Sequence, residues 1–131
     1  MRRQHLAIAC LVLIAACRDS NAPAPVDPVG VWSGTTSQGR AVAFTVTAQG
    51  ITEATIAYRV VGAFCTADVE ITIGGAPVAI VKNEFETEFG IGSAILTVAG
   101  KFNSSTAASG TLVVDDFNCD GTVTTNWSAT K

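Results

Sequence analysis

The chain has 131 residues, 48% of them hydrophobic, and carries eleven acidic against eight basic side chains, a net charge of −3. That length supports one domain with its own core, and the acidic balance repels phosphate backbones, which argues against nucleic acid as a partner. His5 is the only histidine, so a chain that loses its first residues also loses every Ser–His or Cys–His nucleophile pair and every histidine-ligated metal site.

The first residues are of the kind that is removed. Arg2-Arg3 precede an apolar run from Leu6 to Ala16 that ends in small residues, the order of a secretory signal peptide. A membrane-spanning helix needs about 20 apolar residues, and this run is shorter. Ile14-Ala15-Ala16-Cys17 resembles the lipobox of bacterial lipoproteins. The resemblance implies cleavage before Cys17, a diacylglyceryl thioether on its sulfur and acylation of the new amine with a fatty acid such as palmitate. The chain then divides into a signal peptide (1–16), a lipidated cysteine with a proline-rich tether (17–28) and a single β domain (29–131). One acyl chain binds a bilayer marginally and two or more bind it stably, so the membrane is an expected partner through the anchor at Cys17. Arg18 follows the cysteine. In enteric-type lipoproteins an Asp there resembles an inner-membrane retention signal, so its absence favours the outer membrane. Loss of Arg2 and Arg3 leaves six basic residues against eleven acidic, a net charge of −5.

Pro23, Pro25 and Pro28 sit among small and polar residues, a composition that favours an extended tether. At ~3.3 Å per residue it reaches up to about 35 Å. From Val29 onward Val, Ile, Thr and Phe alternate with polar residues, and Gly or Asn interrupts roughly every ten residues, as in an all-β sandwich or barrel. The alternation predicts strands over Val29–Ser37, Arg40–Ala48, Ile51–Val60, Ala67–Ile73, Glu84–Phe89, Ala94–Phe102, Gly110–Asp115 and Thr122–Thr130. Gly74-Gly75 reads as a hairpin turn. Val78–Val81 after Pro77 reads as a partial strand at an edge. The inward face carries Val42, Phe44, Val46 and Ala48; Ala54, Ile56, Tyr58 and Val60; and Val69, Ile71 and Ile73. It continues with Phe85, Phe89, Leu96, Val98, Gly100, Phe102, Leu112, Val114, Val123 and Trp127. Most of these are medium to large, so a filled interior is expected.

Hairpin-sized connections predict an antiparallel meander of about eight strands closing as a small β-barrel, with a β-sandwich as the alternative. The cysteines test it. Cys10 leaves with the signal and Cys17 is consumed by lipid, so Cys65 and Cys119, in an exported and oxidising compartment, read as one disulfide. A bond between their loops requires an even number of full strand crossings between them. Four result if Val78–Val81 does not count.

Few residues suggest chemistry. Gly30-Val31-Trp32 resembles the first strand of lipocalin- and avidin-like barrels, which implies a tryptophan at the barrel base; a core tryptophan packed for its area reads the same way. Asp116, Asn118 and Asp120 followed by Gly121 match the first half of a calcium loop. The bidentate glutamate is missing, with Trp127 in its place, so no tight metal site is expected and the stretch reads as an ordinary turn. Glu84, Glu86 and Glu88 form an acidic stripe that could supply a glycosidase's carboxylate pair, but alternating glutamates are also what guards a sheet edge. Tyr58 and Lys101 have no evident partner. No cofactor and no enzymatic activity are expected. The favoured reading is a lipid-anchored envelope lipoprotein whose non-catalytic β module binds a protein or glycan through its loops, with Thr35–Arg40 and Asn103–Ser109 as the favoured surfaces. The alternatives are a lipocalin-like carrier of a small apolar ligand and a protease inhibitor.

Overall fold

A computed structural model describes residues 24–131; the expected signal peptide (1–16), the expected lipidation at Cys17 and the start of the expected tether lie outside them. Eight antiparallel strands follow one another: β1 (Gly30–Thr36), β2 (Ala41–Thr47), β3 (Gly50–Val61), β4 (Thr66–Val78), β5 (Glu84–Ile91), β6 (Ala94–Phe102), β7 (Ala107–Asp116) and β8 (Gly121–Thr130). Each pairs with its predecessor except β5, and β1 closes onto β8, so the sheet order is β4-β3-β2-β1-β8-β7-β6-β5. The expected meander barrel is present and nearly closed. Its one open seam lies between β4 and β5, not at the ends of the chain.

Period-two alternation turns one face of every strand inward. All the medium and large residues expected inside belong to the core or pack against it, and Trp32, Ile51, Ala94, Ala108 and Ala129 join them. Five of the aromatic rings in the lumen form one cluster. Trp32 stacks near Phe44 at 5.8 Å and meets Phe102 edge-on at 5.1 Å, while Trp127 lies 5.7 Å from Phe44 and 6.1 Å from Phe85. Such pairs add to area burial by about 0.5–1.5 kcal/mol each. Gly100 and Gly110 face each other across β6 and β7 and form the floor under Trp127. A Cβ on Gly100 would sit 2.5 Å from the indole Cζ2, so glycine is needed here for space.

Four readings of the sequence are corrected. Gly74-Gly75 is not a turn: β4 runs through it, because β3 is long enough to keep offering partners, pairing Glu53 with Gly74 and Ile51 with Val78. Between those pairs β3 contributes Thr52 alone and β4 contributes Gly75, Ala76 and Pro77, so the glycines mark a bulge. Val78 therefore ends β4, and Val81 makes only an isolated bridge with Glu84. Ala48 lies exposed in the β2–β3 turn, and β7 begins at Ala107, inside what reads as a polar loop.

The crossings define two ends. At one, the tether enters β1, joined by the β2–β3 turn, the β4–β5 connection and the β6–β7 loop. At the other lie the β1–β2, β3–β4, β5–β6 and β7–β8 connections. The tether end is clasped. The Asp27 N–H donates to Ser105 Oγ at 2.9 Å, and Trp32 Nε1 donates to the Pro28 carbonyl at 2.8 Å. Lys131 Nζ donates to the carbonyls of Asp27 (3.0 Å) and Val29 (2.7 Å) and lies 5.5 Å above the Trp32 ring.

Candidate functional site: the disulfide end of the barrel

β3 and β4 extend past the start of β2, and their hairpin folds over the barrel mouth. Where β2 no longer supplies partners, Gln38 of the β1–β2 turn takes over: its Oε1 accepts from the Arg59 N–H and its Nε2 donates to the Arg59 carbonyl, both at 2.9 Å. The hairpin is fastened to the β7–β8 loop by the Cys65–Cys119 disulfide. The Phe64 and Ala63 N–H groups add hydrogen bonds to the Cys119 and Asp120 carbonyls, each 3.3 Å. A Cβ on Gly62 would collide with the Cys119 carbonyl, so glycine permits this close approach. Four full strands separate the two cysteine loops, the even count that the bond demands.

Inside the turn the Asp116 carboxylate accepts from the Asn118 N–H (3.0 Å), the Cys119 N–H (3.2 Å) and Ser93 Oγ (3.3 Å). This is turn chemistry, in which an aspartate stands in for main-chain acceptors. Asp120 adopts a left-handed conformation with φ of 49°, which Asp tolerates better than most residues. Among the described residues no three His, Cys, Asp or Glu side chains cluster as metal ligands. Beneath the turn Tyr58 is buried. Its phenol is pushed above the ordinary value first by burial and then by the Asp116 charge.

What this frame presents outward is apolar. Phe64, next to Cys65, and Phe117, two residues before Cys119, are 80% and 68% exposed, and Val61 is 63% exposed. Ile91 and Ile95 flank the β5–β6 turn at the same end, and the Phe117 N–H reaches Ser93 of that turn at 3.1 Å. Exposed aromatic rings on a cross-linked frame are costly to leave in water, and such patches mark interaction surfaces. Strand alternation does not single out either ring; an aromatic residue within two positions of each turn cysteine is the signal the sequence offers.

The other candidates are dispersed. Thr35–Arg40 lies at the disulfide end. Asn103–Ser109 lies at the opposite end, where it holds the tether. Glu84, Glu86 and Glu88 stand on the outer face of β5, with Glu84 3.3 Å from Lys101. Asp68 on β4 is bridged by Arg40 at 2.6 Å and Arg59 at 3.0 Å; all three are substantially exposed, so these pairs stabilise little. Trp32 is fully buried at the tether end. The apolar space left in the lumen beside the seam is about 30 Å³, small against the roughly 300–1,000 Å³ of ordinary ligand pockets. Comparisons with protein-family models, with curated proteins and with solved structures found no match.

Proposed function

We propose that this chain is a lipid-anchored lipoprotein of the bacterial cell envelope, non-catalytic, that holds a protein partner at the barrel end remote from its anchor. The observation that carries the reading is the placement of the two ends: the tether is clasped at one, and Phe64, Phe117 and Val61 are exposed at the other, on loops joined by the Cys65–Cys119 bond. Anchoring at Cys17 turns that second end away from the bilayer that holds the lipid. The bond fixes the loops before any partner arrives, which lowers the ordering cost of association. The surroundings define the partner's chemistry: Asp115, Asp116 and Asp120 are acidic and the nearest guanidinium, Arg59, is engaged with Asp68, so an apolar pocket with a basic rim is the complementary surface. Phenylalanine rings lack the polar groups that orient a glycan, which favours protein. Arg18 after the lipidated cysteine favours the outer membrane.

The test has two arms. Labelled palmitate is expected to enter the full chain and not Cys17→Ser. The lipidated protein on liposomes, exposed to solubilised envelope proteins of its own cell, is expected to retain one protein. That protein should be lost with Phe64→Asp plus Phe117→Asp and kept with Val31→Asp, an exposed residue at the tether end. Equal labelling of both chains refutes the anchor. Retention indifferent to the two phenylalanines, or of glycan alone, refutes the binding surface.

A further inference from the structure

We propose that the seam between β4 and β5 is a second docking groove, which takes an extended basic segment of a partner protein as an added strand. β4 and β5 are the two ends of the sheet order, and among the described residues no strand pairing joins them. Each therefore presents one edge of N–H and C=O groups without a partner strand, apart from Glu84, whose main chain bridges Val81; such an edge is the template on which an extended peptide adds to a sheet. A groove of about 520 Å³ runs along the seam, with Ile73, Pro77 and Val78 on the β4 side and Glu86, Thr87 and Phe89 on the β5 side. Under it lies the small apolar space in the lumen, also lined by Trp127, whose buried indole N–H has no partner among the described residues.

Charge decides the occupant. Glu53 and Glu86 line the groove and Glu88 continues the row on the outer face of β5; none of them has an ion-pair partner among the described residues. A second copy adding through β5 would set glutamate beside glutamate, a like-charge cross-strand contact that destabilises. Pro77 removes one donor from the β4 edge. These features disfavour self-pairing and favour a strand of opposite charge in the groove. Period-two alternation fixes that strand's pattern, with medium apolar side chains pointing into the seam and Lys or Arg pointing out toward Glu53, Glu86 and Glu88. The groove lies along the barrel wall, separate from Phe64 and Phe117, so the inference stands apart from the function proposed above.

The probe is a synthetic octapeptide of alternating lysine and valine, added to the mature lipidated protein in detergent micelles. Saturable one-to-one binding is expected by fluorescence anisotropy, with slowed amide exchange over residues 73–78 and 86–89. Glu53→Lys plus Glu86→Lys should weaken binding about tenfold, the size of two attractive cross-strand pairs turned repulsive; Glu86→Gln should give a smaller loss. Asp115→Lys plus Asp120→Lys, at the disulfide end, should change it clearly less than the Glu53 and Glu86 pair does, since Asp115 lies two strands away from β5 and neither residue lines the groove. An N-methylated peptide, which cannot pair its main chain, should not bind. Equal weakening by both lysine pairs would reduce the effect to bulk attraction and overturn the proposal. So would binding of the N-methylated peptide, absence of binding, or seam protection that arises from dimers of the protein itself.

Discussion

The floor beneath Trp127 gives the sharpest test of how the lumen is packed. A Cβ at position 100 would lie 2.5 Å from Trp127 Cζ2 and 2.6 Å from Phe85 Cζ, against an optimum of about 3.5–4.0 Å between carbons. One or both rings must therefore shift by about 1 Å in a lumen where five aromatic side chains already cluster. Gly100→Ala is expected to cost about 1–3 kcal/mol, as overpacked cores do, more than the ~0.4–1 kcal/mol that alanine ordinarily gains over glycine by narrowing the unfolded chain. Trp127→Phe removes the obstructing ring edge together with an indole N–H that has no partner among the described residues. In the double variant Gly100→Ala plus Trp127→Phe, at least about 1 kcal/mol of the first cost should return as a favourable coupling. Gly110→Ala is the control. Its Cβ would also come within 2.6 Å of Trp127 Cζ2, but it would besides collide with the main-chain carbonyl of Ala99 and approach Gly100 Cα to 2.7 Å, obstacles that no change at Trp127 removes, so that pair should couple more weakly. Urea unfolding of the Cys17→Ser chain measures all five variants. A neutral Gly100→Ala, or equal coupling at both glycines, refutes the packing described for the lumen.

Replacing both Cys65 and Cys119 by Ala opens a loop whose ends lie 54 residues apart; the chain-entropy model assigns that closure about 4 kcal/mol, and thermal denaturation should show a loss of roughly 15 °C or more. The Tyr58 phenol titrates above its ordinary value in the folded state, so the stability it contributes is complete below about pH 10 and is lost as pH rises through the folded value; Tyr58→Phe should flatten the alkaline fall in stability, and an unchanged slope would contradict its burial beside Asp116. Calcium at about 1 mM should leave the melting temperature unmoved, because a native-state ligand must raise it; a rise of several degrees abolished by Asp116→Ala plus Asp120→Ala would show a site in the turn.

Much of this architecture is legible in the residues, because period-two alternation writes the inward face directly: Val42, Phe44 and Val46 or Leu96, Val98 and Phe102 need no structure to be placed. The cysteine pair is legible as well, since an even number of crossings between Cys65 and Cys119 agrees with a meander and an odd number does not. What escapes is whatever depends on a neighbour distant in sequence. Gly74-Gly75 looks like a turn until β3 is seen to continue alongside and hold β4 in register past Pro77. Ala107 to Ser109 look like loop until β6 and β8 pair with them from both sides. The open seam is of the same kind. A meander is expected to join its first and last strands, as β1 and β8 do, and the gap falls at β4, where a three-residue bulge and a proline weaken the outer edge. The exposure of Phe64 and Phe117 follows from the hairpin folding across the barrel mouth, which no local pattern records.

Photocross-linking in intact cells of the organism that makes the chain tests the proposed function most directly. A photoreactive amino acid replaces Phe64, Phe117, Val31 or Thr106, one at a time, in the full-length lipidated chain. Phe64 and Phe117 are expected to capture one and the same envelope protein, and Val31 and Thr106, at the tether end, are expected not to capture it. Capture from Val31 or Thr106 alone, or a product at Phe64 and Phe117 that is lipid, glycan or a second copy of this chain, would contradict the assignment of the disulfide end as the binding surface.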